Sequence, residues 1–349
     1  MPLPNPLRVA VGVPLAPDLV ERIAAEERLD VAYEPELYPP RVYASDLYGP
    51  PGWRATPEQE ARFLAPFERA HILLGIPRNR PSLLARVVPG NPDLLWVHTT
   101  VAGGGGQVRA ANLAPVDLAR VIYTTSAGCH AETLAEYAVF GVMCGAKELP
   151  AMQAAQRRHE WGAHRPLRHL GEMTVVVVGM GGIGRATAER FGQFGATVIG
   201  VNRTMREVPG VEMHRSGDLI EVVTRADAII NCLPGAVGTD NLIGADVLAA
   251  AKPGCIVVSL GRGSCLDEDA LVAGLTSGHL AFAALDVTAT EPLPGDSPLW
   301  DLPNVLITPH TAALSVHEAE RVVDVFLDNV RRLLDGRPLR NLMDKELFY

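Results

Sequence analysis

An apolar run, Thr174-Val175-Val176-Val177-Val178, passes directly into Gly179-Met180-Gly181-Gly182-Ile183-Gly184, and a helical pattern from Arg185 to Phe194 follows at once. Strand, glycine turn and helix in that order leave few folds open. The first glycine of such a G-x-G-x-x-G permits a tight turn, the second lets backbone approach a pyrophosphate, and the third lets helix and strand touch. The N–H groups that open the helix have no partner within it and favour an anion. Without the flanking elements the six residues would be ordinary turn residues. In this context Gly179, Met180, Gly181, Gly182, Ile183 and Gly184 predict a dinucleotide site.

Further apolar runs follow at Thr197 to Val201, Ala228 to Asn231, Ile256 to Leu260, Ala281 to Leu285 and Val305 to Ile307, with helical stretches between them. Continuous apolar strands separated by helices predict a parallel sheet covered on both faces. An earlier series predicts a second sheet: Leu7 to Val13, helical Asp18 to Arg28, helical Pro57 to Glu68, Ala70 to Leu74 and Leu94 to His98. A helical pattern from Ala131 to Leu149 joins the two series, and another, Val316 to Leu334, leads into a polar tail and predicts that the chain crosses back to the first unit. The expected fold class is α/β, with two Rossmann-like or flavodoxin-like domains, parallel sheets and an active site in the cleft between them. Residues 128–312 would bind the dinucleotide, and residues 1–127 with 313–349 would form a discontinuous substrate-binding domain; a chain of 349 residues suits two domains.

A net charge of −9 without a cluster of Lys and Arg excludes a nucleic-acid surface. Cysteines 129, 144, 232, 255 and 265 are odd in number and lack Cys-x-x-Cys spacing, so no disulfide framework and no metal are expected, and a reducing cytoplasm fits. No apolar stretch approaches the roughly 20 residues that span a bilayer, and Met1 to Arg8 has neither the charged start nor the apolar core of a secretory signal. The expected partner is a small molecule, with no membrane, and the expected assembly is a homodimer.

The second strand of the later series ends in Asn202-Arg203-Thr204, with no carboxylate until Glu207. A carboxylate there would grip a ribose 2′-hydroxyl and repel a 2′-phosphate; its absence, with the Arg203 fork at hand, favours NADP(H) over NAD(H). Three later segments follow strands: Ser259-Leu260-Gly261-Arg262-Gly263, Asp286 to Pro292, and Thr308-Pro309-His310-Thr311. Strand ends are where ligands collect in open α/β sheets. The segments offer a cation, a carboxylate and an imidazole, the groups that reduction of a 2-oxo acid needs for its carboxylate, its developing alkoxide and its proton.

Gly179 to Gly184, Gly261-Arg262-Gly263 with Asp267-Glu268, Asp286 to Pro292, and Pro309-His310 together resemble the ordered motifs of the D-isomer-specific 2-hydroxyacid dehydrogenases, and the likeness runs from about Trp96 to the final helix. The resemblance implies that Arg262 binds the substrate carboxylate and carbonyl oxygen, that His310 is the general acid in reduction and the base in oxidation, and that Glu291 orients it. Asp286 would lie near the nicotinamide, Cys232, Leu233, Pro234 and Thr239 beside the adenine, and the backbone of Val101, Ala102, Gly103 and Gly104 against the substrate carboxylate. Four consecutive glycines, Gly103 to Gly106, depart from the family's usual pattern. Glyoxylate or hydroxypyruvate would suit an NADP-type reductase. The alternatives are a dinucleotide-sensing regulator of the corepressor type, which keeps the same three groups, and a phosphite-type dehydrogenase. A formate-type enzyme is set aside, because Pro309 precedes His310 and Glu291 is retained.

Overall fold

The computed structural model describes residues 3–235 and 238–348. The chain divides into two compact units, Met1–Cys129 with Leu314–Tyr349, and His130–Ala313.

In the first unit, strands β1 (Leu7–Val11), β2 (Leu29–Ala32), β3 (Ile72–Leu74), β4 (Trp96–His98) and β5 (Ile122–Thr124) form one sheet in the order β2-β1-β3-β4-β5. Every pair is parallel. This is the flavodoxin-like order. Alternate side chains face opposite layers, as the strand repeat requires. Ile72 and Leu74 pack with Val9, Trp96 and Ile23, while Leu73 packs with Val97, Phe63 and Val88.

The helix Glu318–Leu334 completes the first of those layers. It buries Ala319, Val322, Val323, Phe326, Leu327 and Val330 at the three- and four-residue spacing of one helical face. The Phe326 ring stacks on Trp96 at 5.3 Å. The tail after this helix, polar in composition, also docks: Leu342 bridges to Thr124 and Met343 is buried.

In the second unit, strands β6 (Thr174–Val178), β7 (Thr197–Asn202), β8 (Glu212–Arg215), β9 (Ala228–Asn231), β10 (Cys255–Ser259), β11 (Leu280–Leu285) and β12 (Val305–Ile307) pair in the order β12-β11-β10-β9-β6-β7-β8. All pairs are parallel. The arrangement is the doubly wound dinucleotide-binding order with one further strand, and its direction reverses between β6 and β9. Val175 and Val177 face one core and Val176 and Val178 the other, so the run of valines is apolar throughout because both faces are covered. The helix expected over Ala131 to Leu149 stops at Ala146. Glu148 adopts a left-handed conformation (φ 52°), and a new helix, Leu149–Arg157, begins there. No helix of the described residues is long and apolar enough to cross a membrane.

Candidate active site

The residues that the sequence singles out in the second unit lie mostly along one edge of its sheet. Val178, Val201, Asn231, Ser259, Leu285 and Ile307 are linked in register across neighbouring strands, so the segments that follow them leave the sheet side by side. These are Gly179 to Gly184, Asn202 to Thr204, Cys232 to Pro234, Leu260 to Gly263, Asp286 onward and Thr308 onward.

The glycines of the motif meet three different demands. Gly179 has a φ of 99°, a left-handed turn that side chains disfavour. A Cβ on Gly184 would lie 2.0 Å from the Gly179 carbonyl oxygen, so the helix Gly182–Gln193 approaches the turn only without a side chain there. A Cβ on Gly181 would have no neighbouring heavy atom within 4 Å among the described residues. Met180 N–H donates to Asn202 Oδ1 at 3.4 Å, and Asn202 Nδ2 donates to the Thr204 carbonyl at 2.9 Å, which joins the glycine turn to the end of β7. Arg203 and Thr204 are exposed. Cys232 and Leu233 are buried, and Thr239 Oγ1 donates to the Pro234 carbonyl at 2.9 Å.

His310 and Glu291 form a direct pair, with His310 Nδ1 and Glu291 Oε2 2.7 Å apart and both side chains partly exposed. Glu291 Oε1 accepts from the Thr288 N–H at 3.2 Å, which turns the other oxygen to the imidazole. An accepting carboxylate places the proton on Nδ1 and leaves Nε2 for chemistry. His310 itself has a φ of 51°. Its loop is stapled to Asp286: His310 N–H donates to the Asp286 carbonyl at 2.9 Å, and Thr311 N–H, Ala312 N–H and the Thr308 hydroxyl donate to Asp286 Oδ1 at 2.9, 3.0 and 2.6 Å. Asp286 Oδ2 is buried and accepts no bond among the described residues.

Arg262 is exposed, and its Nη1 donates to the Gly261 carbonyl at 2.9 Å; no hydrogen bond joins it to Glu291 or His310 among the described residues. Its loop is fixed by backbone contact, since a Cβ on Gly263 would fall 2.0 Å from the Thr288 carbonyl carbon. The structure therefore holds the Arg262 loop against the loop that carries Glu291. Val101, Ala102, Gly103 and Gly104 belong to the first unit, just before the short helix Gly105–Ala110. Part of the glycine run answers to packing: Cβ atoms on Gly104 and Gly105 would strike Thr99 and the Phe348 carbonyl.

Three sets of contacts escape the sequence reading, although Asn231, Glu268 and Thr308 lie in segments it singles out. Buried Asn231 donates to Ser259 Oγ and to the Arg262 carbonyl, both at 3.1 Å, and accepts from Leu233 N–H; its signal was a lone amide closing an apolar strand. Thr308 Oγ1 spends its proton on Asp286, so the Tyr137 hydroxyl 2.8 Å away donates to Thr308. Burial pushes the Tyr137 phenol up to about 12, so it keeps that proton at neutral pH. Glu268 Oε1 accepts from Ala289 N–H at 2.6 Å, tying the Glu291 loop to the helix after Arg262. The five cysteines are buried; burial pushes the thiols of Cys129, Cys232 and Cys255 up to about 12 and raises Cys265 as well, the opposite of an activated nucleophile.

The model of the D-isomer specific 2-hydroxyacid dehydrogenase NAD binding domain matches residues 139–312. D-3-phosphoglycerate dehydrogenase of Mycobacterium tuberculosis is 31% identical over 311 residues, which cover 85% of this chain and 57% of that enzyme, so the chain spans little more than half the length of this relative. Glyoxylate/hydroxypyruvate reductase A of Serratia proteamaculans is 31% identical over 222 residues, 63% of this chain and 69% of the reductase. Among solved structures, a D-isomer specific 2-hydroxyacid dehydrogenase from Xanthobacter autotrophicus Py2, in complex with NADPH and MES, superposes with a TM-score of 0.75 at 27% identity, covering 99% of this chain and all of that one. With the family's domain model matched over residues 139–312 and a relative at this identity and coverage, the chain belongs to the D-isomer specific 2-hydroxyacid dehydrogenase family.

Proposed function

We infer that the protein is an NADP(H)-dependent oxidoreductase that interconverts a small 2-oxo acid and its 2-hydroxy acid. The observation that carries this reading is the His310–Glu291 pair, set on a strand end beside Asp286, in a sheet whose first strand opens a glycine turn. The residues present fit the cofactor. Gly181 offers backbone that a side chain would cover, and Asp286 Oδ2 is a buried acceptor still lacking a donor. Arg203, and the NADPH held by the Xanthobacter relative, support the phosphorylated form.

When bound, the nicotinamide supplies or takes the hydride. Arg262 holds the substrate carboxylate and the carbonyl oxygen by its fork, and stabilises negative charge on that oxygen as it forms. His310 delivers a proton to it from Nε2 and recovers one there in oxidation, while Glu291 holds the ring by Nδ1. Gly179 to Gly184 hold the pyrophosphate; Asn202 to Thr204 and the segment Cys232 to Pro234 with Thr239 form the adenosine side; Asp286 orients the nicotinamide. Val101 to Gly104 would give backbone N–H groups to the substrate carboxylate, with residues 1–127 and 313–349 acting as the substrate domain and 128–312 as the cofactor domain. Phe140, Leu149 and Met152 leave apolar surface exposed along two helices, and Trp161 beyond them is 95% exposed, which supports a homodimer. The five buried cysteines suit a reducing cytoplasm.

The test is an initial-rate matrix of glyoxylate, hydroxypyruvate, pyruvate and longer 2-oxo acids against NADPH and NADH. His310→Ala should slow the best reaction about 10²–10⁴-fold with cofactor binding kept. Arg203→Ala should weaken NADPH by about 1.5–3 kcal/mol and NADH far less. A His310→Ala variant as fast as wild type when chemistry limits turnover would overturn the assignment, and equal losses for the two cofactors would remove Arg203 from the phosphate site.

A further inference from the structure

The second sheet ends at β8, and β8 ends in Arg215. This strand pairs with β7 in parallel register, Gly200 against Met213 and Asn202 against Arg215, so Arg215 stands level with the residue before Arg203. Residues paired across neighbouring strands point to the same face, as do residues two apart in one strand. The face is read at Gly200, where a Cβ would come within 2.7 Å of the Met213 sulfur and 3.0 Å of the Met180 sulfur. Met180 belongs to the glycine turn, so a glycine inside β7 lets that turn and β8 close over it. Asn202, two residues on, faces the same way and accepts the Met180 N–H. Arg215, two residues after Met213, therefore leaves β8 on the side of the glycine turn, one strand spacing of about 4.8 Å from Asn202.

The charges of β8 are not equally engaged. Arg225 donates to both oxygens of Glu212 at 2.6 and 2.8 Å, and His214 Nε2 lies 2.7 Å from Glu212 Oε1. Those contacts, Arg225 first, hold the Glu212 carboxyl down at about 2. Arg215 fastens its backbone by donating its N–H to Asp218 Oδ2 at 3.1 Å, while its exposed guanidinium makes no ion pair among the described residues. A cation anchored at its backbone and level with Asn202-Arg203-Thr204 suits an anion that those residues also meet. We propose that Arg215 is a second reader of the cofactor's 2′-phosphate, so that preference for NADP(H) is shared between the ends of β7 and β8. The proposal rests on the NADP(H) reading given above, and every residue it uses lies in the second unit. A phosphate monoester carries close to two negative charges at neutral pH and several acceptor oxygens, enough for two guanidinium forks.

Calorimetric titration of the intact protein with NADPH, NADH, adenosine 2′,5′-bisphosphate and 5′-AMP decides it without any 2-oxo acid. In Arg215→Gln the dissociation constants of the two ligands that carry the 2′-phosphate should rise about 10–100-fold, the loss of one charge-assisted contact. NADH and 5′-AMP should bind as they do to wild type, which also shows that the variant is folded. Arg215→Lys keeps the charge and loses the fork, and should fall between the two. Added salt should weaken adenosine 2′,5′-bisphosphate more steeply in wild type than in Arg215→Gln. If Arg203→Ala loses the 2′-phosphate ligands and Arg215→Gln does not, the NADP(H) reading stands and the part given to Arg215 is overturned. Equal losses for all four ligands would overturn it too, and assign Arg215 to the fold of the sheet edge. If wild type binds adenosine 2′,5′-bisphosphate no better than 5′-AMP, the NADP(H) reading falls and the proposal with it.

Discussion

A Cβ at Gly184 would press on the Gly179 carbonyl at 2.0 Å, whereas one at Gly181 would have no neighbouring heavy atom of the described residues within 4 Å. Two glycines three residues apart therefore differ: packing requires the first, and no neighbour among the described residues requires the second. Gly184→Ala forces backbone apart and should cost about 1–3 kcal/mol of stability in urea unfolding. Gly181→Ala should leave stability within about 0.5 kcal/mol of wild type, yet raise the dissociation constant for NADPH at least tenfold. If Gly181→Ala unfolds as readily as Gly184→Ala, its glycine serves the fold and not the cofactor. The motif was legible at this scale because all its glycines are contiguous in sequence. The partners of Asp286 were not, since Tyr137 and Thr308 lie 171 residues apart and meet only in the folded unit.

At the scale of elements, the loop that bears His310 is held from a helix. The helix Ala131–Ala146 carries Tyr137, whose proton fixes the Thr308 hydroxyl toward Asp286, the residue that also binds the N–H groups of His310, Thr311 and Ala312. A left-handed histidine is a strained residue, kept in place by bonds on either side of it. Tyr137→Phe keeps the ring and removes the donor, at a cost of about 1 kcal/mol. The expected result is a fall of about 3–10-fold in kcat with KM little changed. Thr308→Val should cost clearly less when added to Tyr137→Phe than it costs alone, because either change breaks the same chain. Full additivity would show two unrelated contacts. Elements with strong apolar runs were readable in advance: β9 and β12 fall on the residues expected of them. β8, Glu-Met-His-Arg at the sheet edge, offered no apolar run, and β2 and β5 are too short to show a period beside their neighbours. The break at Glu148 was hidden because an acidic residue in the left-handed region is not written in helical periodicity.

For the molecule as a whole, acid resistance is set in part by one histidine at the end of β4. His98 is fully buried, and desolvation pushes it down to about 3. Its neighbours fix the tautomer: Ser126 gives its proton to the Thr99 carbonyl and so accepts from Nε2–H, while Thr124, which accepts from the Trp96 indole, donates to Nδ1. Unfolded, the ring binds a proton near pH 6.5; folded, it does not until about pH 3. The unfolded state therefore holds the extra proton between those values, so this contribution is whole above pH 6.5 and fades as pH falls toward 3, by on the order of 5 kcal/mol in all. Urea unfolding of wild type at pH 7 and pH 5 should show a larger drop than His98→Gln shows. Equal drops would mean that the ring is already charged in the native protein. The sheet that contains His98 depends on a helix from the far end of the chain, and that has a consequence for synthesis. Cys129 leaves the ribosome roughly 190 residues ahead of Glu318, and the whole second unit is made in between. At about 5–20 residues per second the nascent first unit waits about 10–40 s for Phe326 and Val330. During that interval the face of Val9, Ile72, Leu74 and Trp96 meets water or a chaperone, so the later-made unit, contiguous in sequence, is the one equipped to finish folding first.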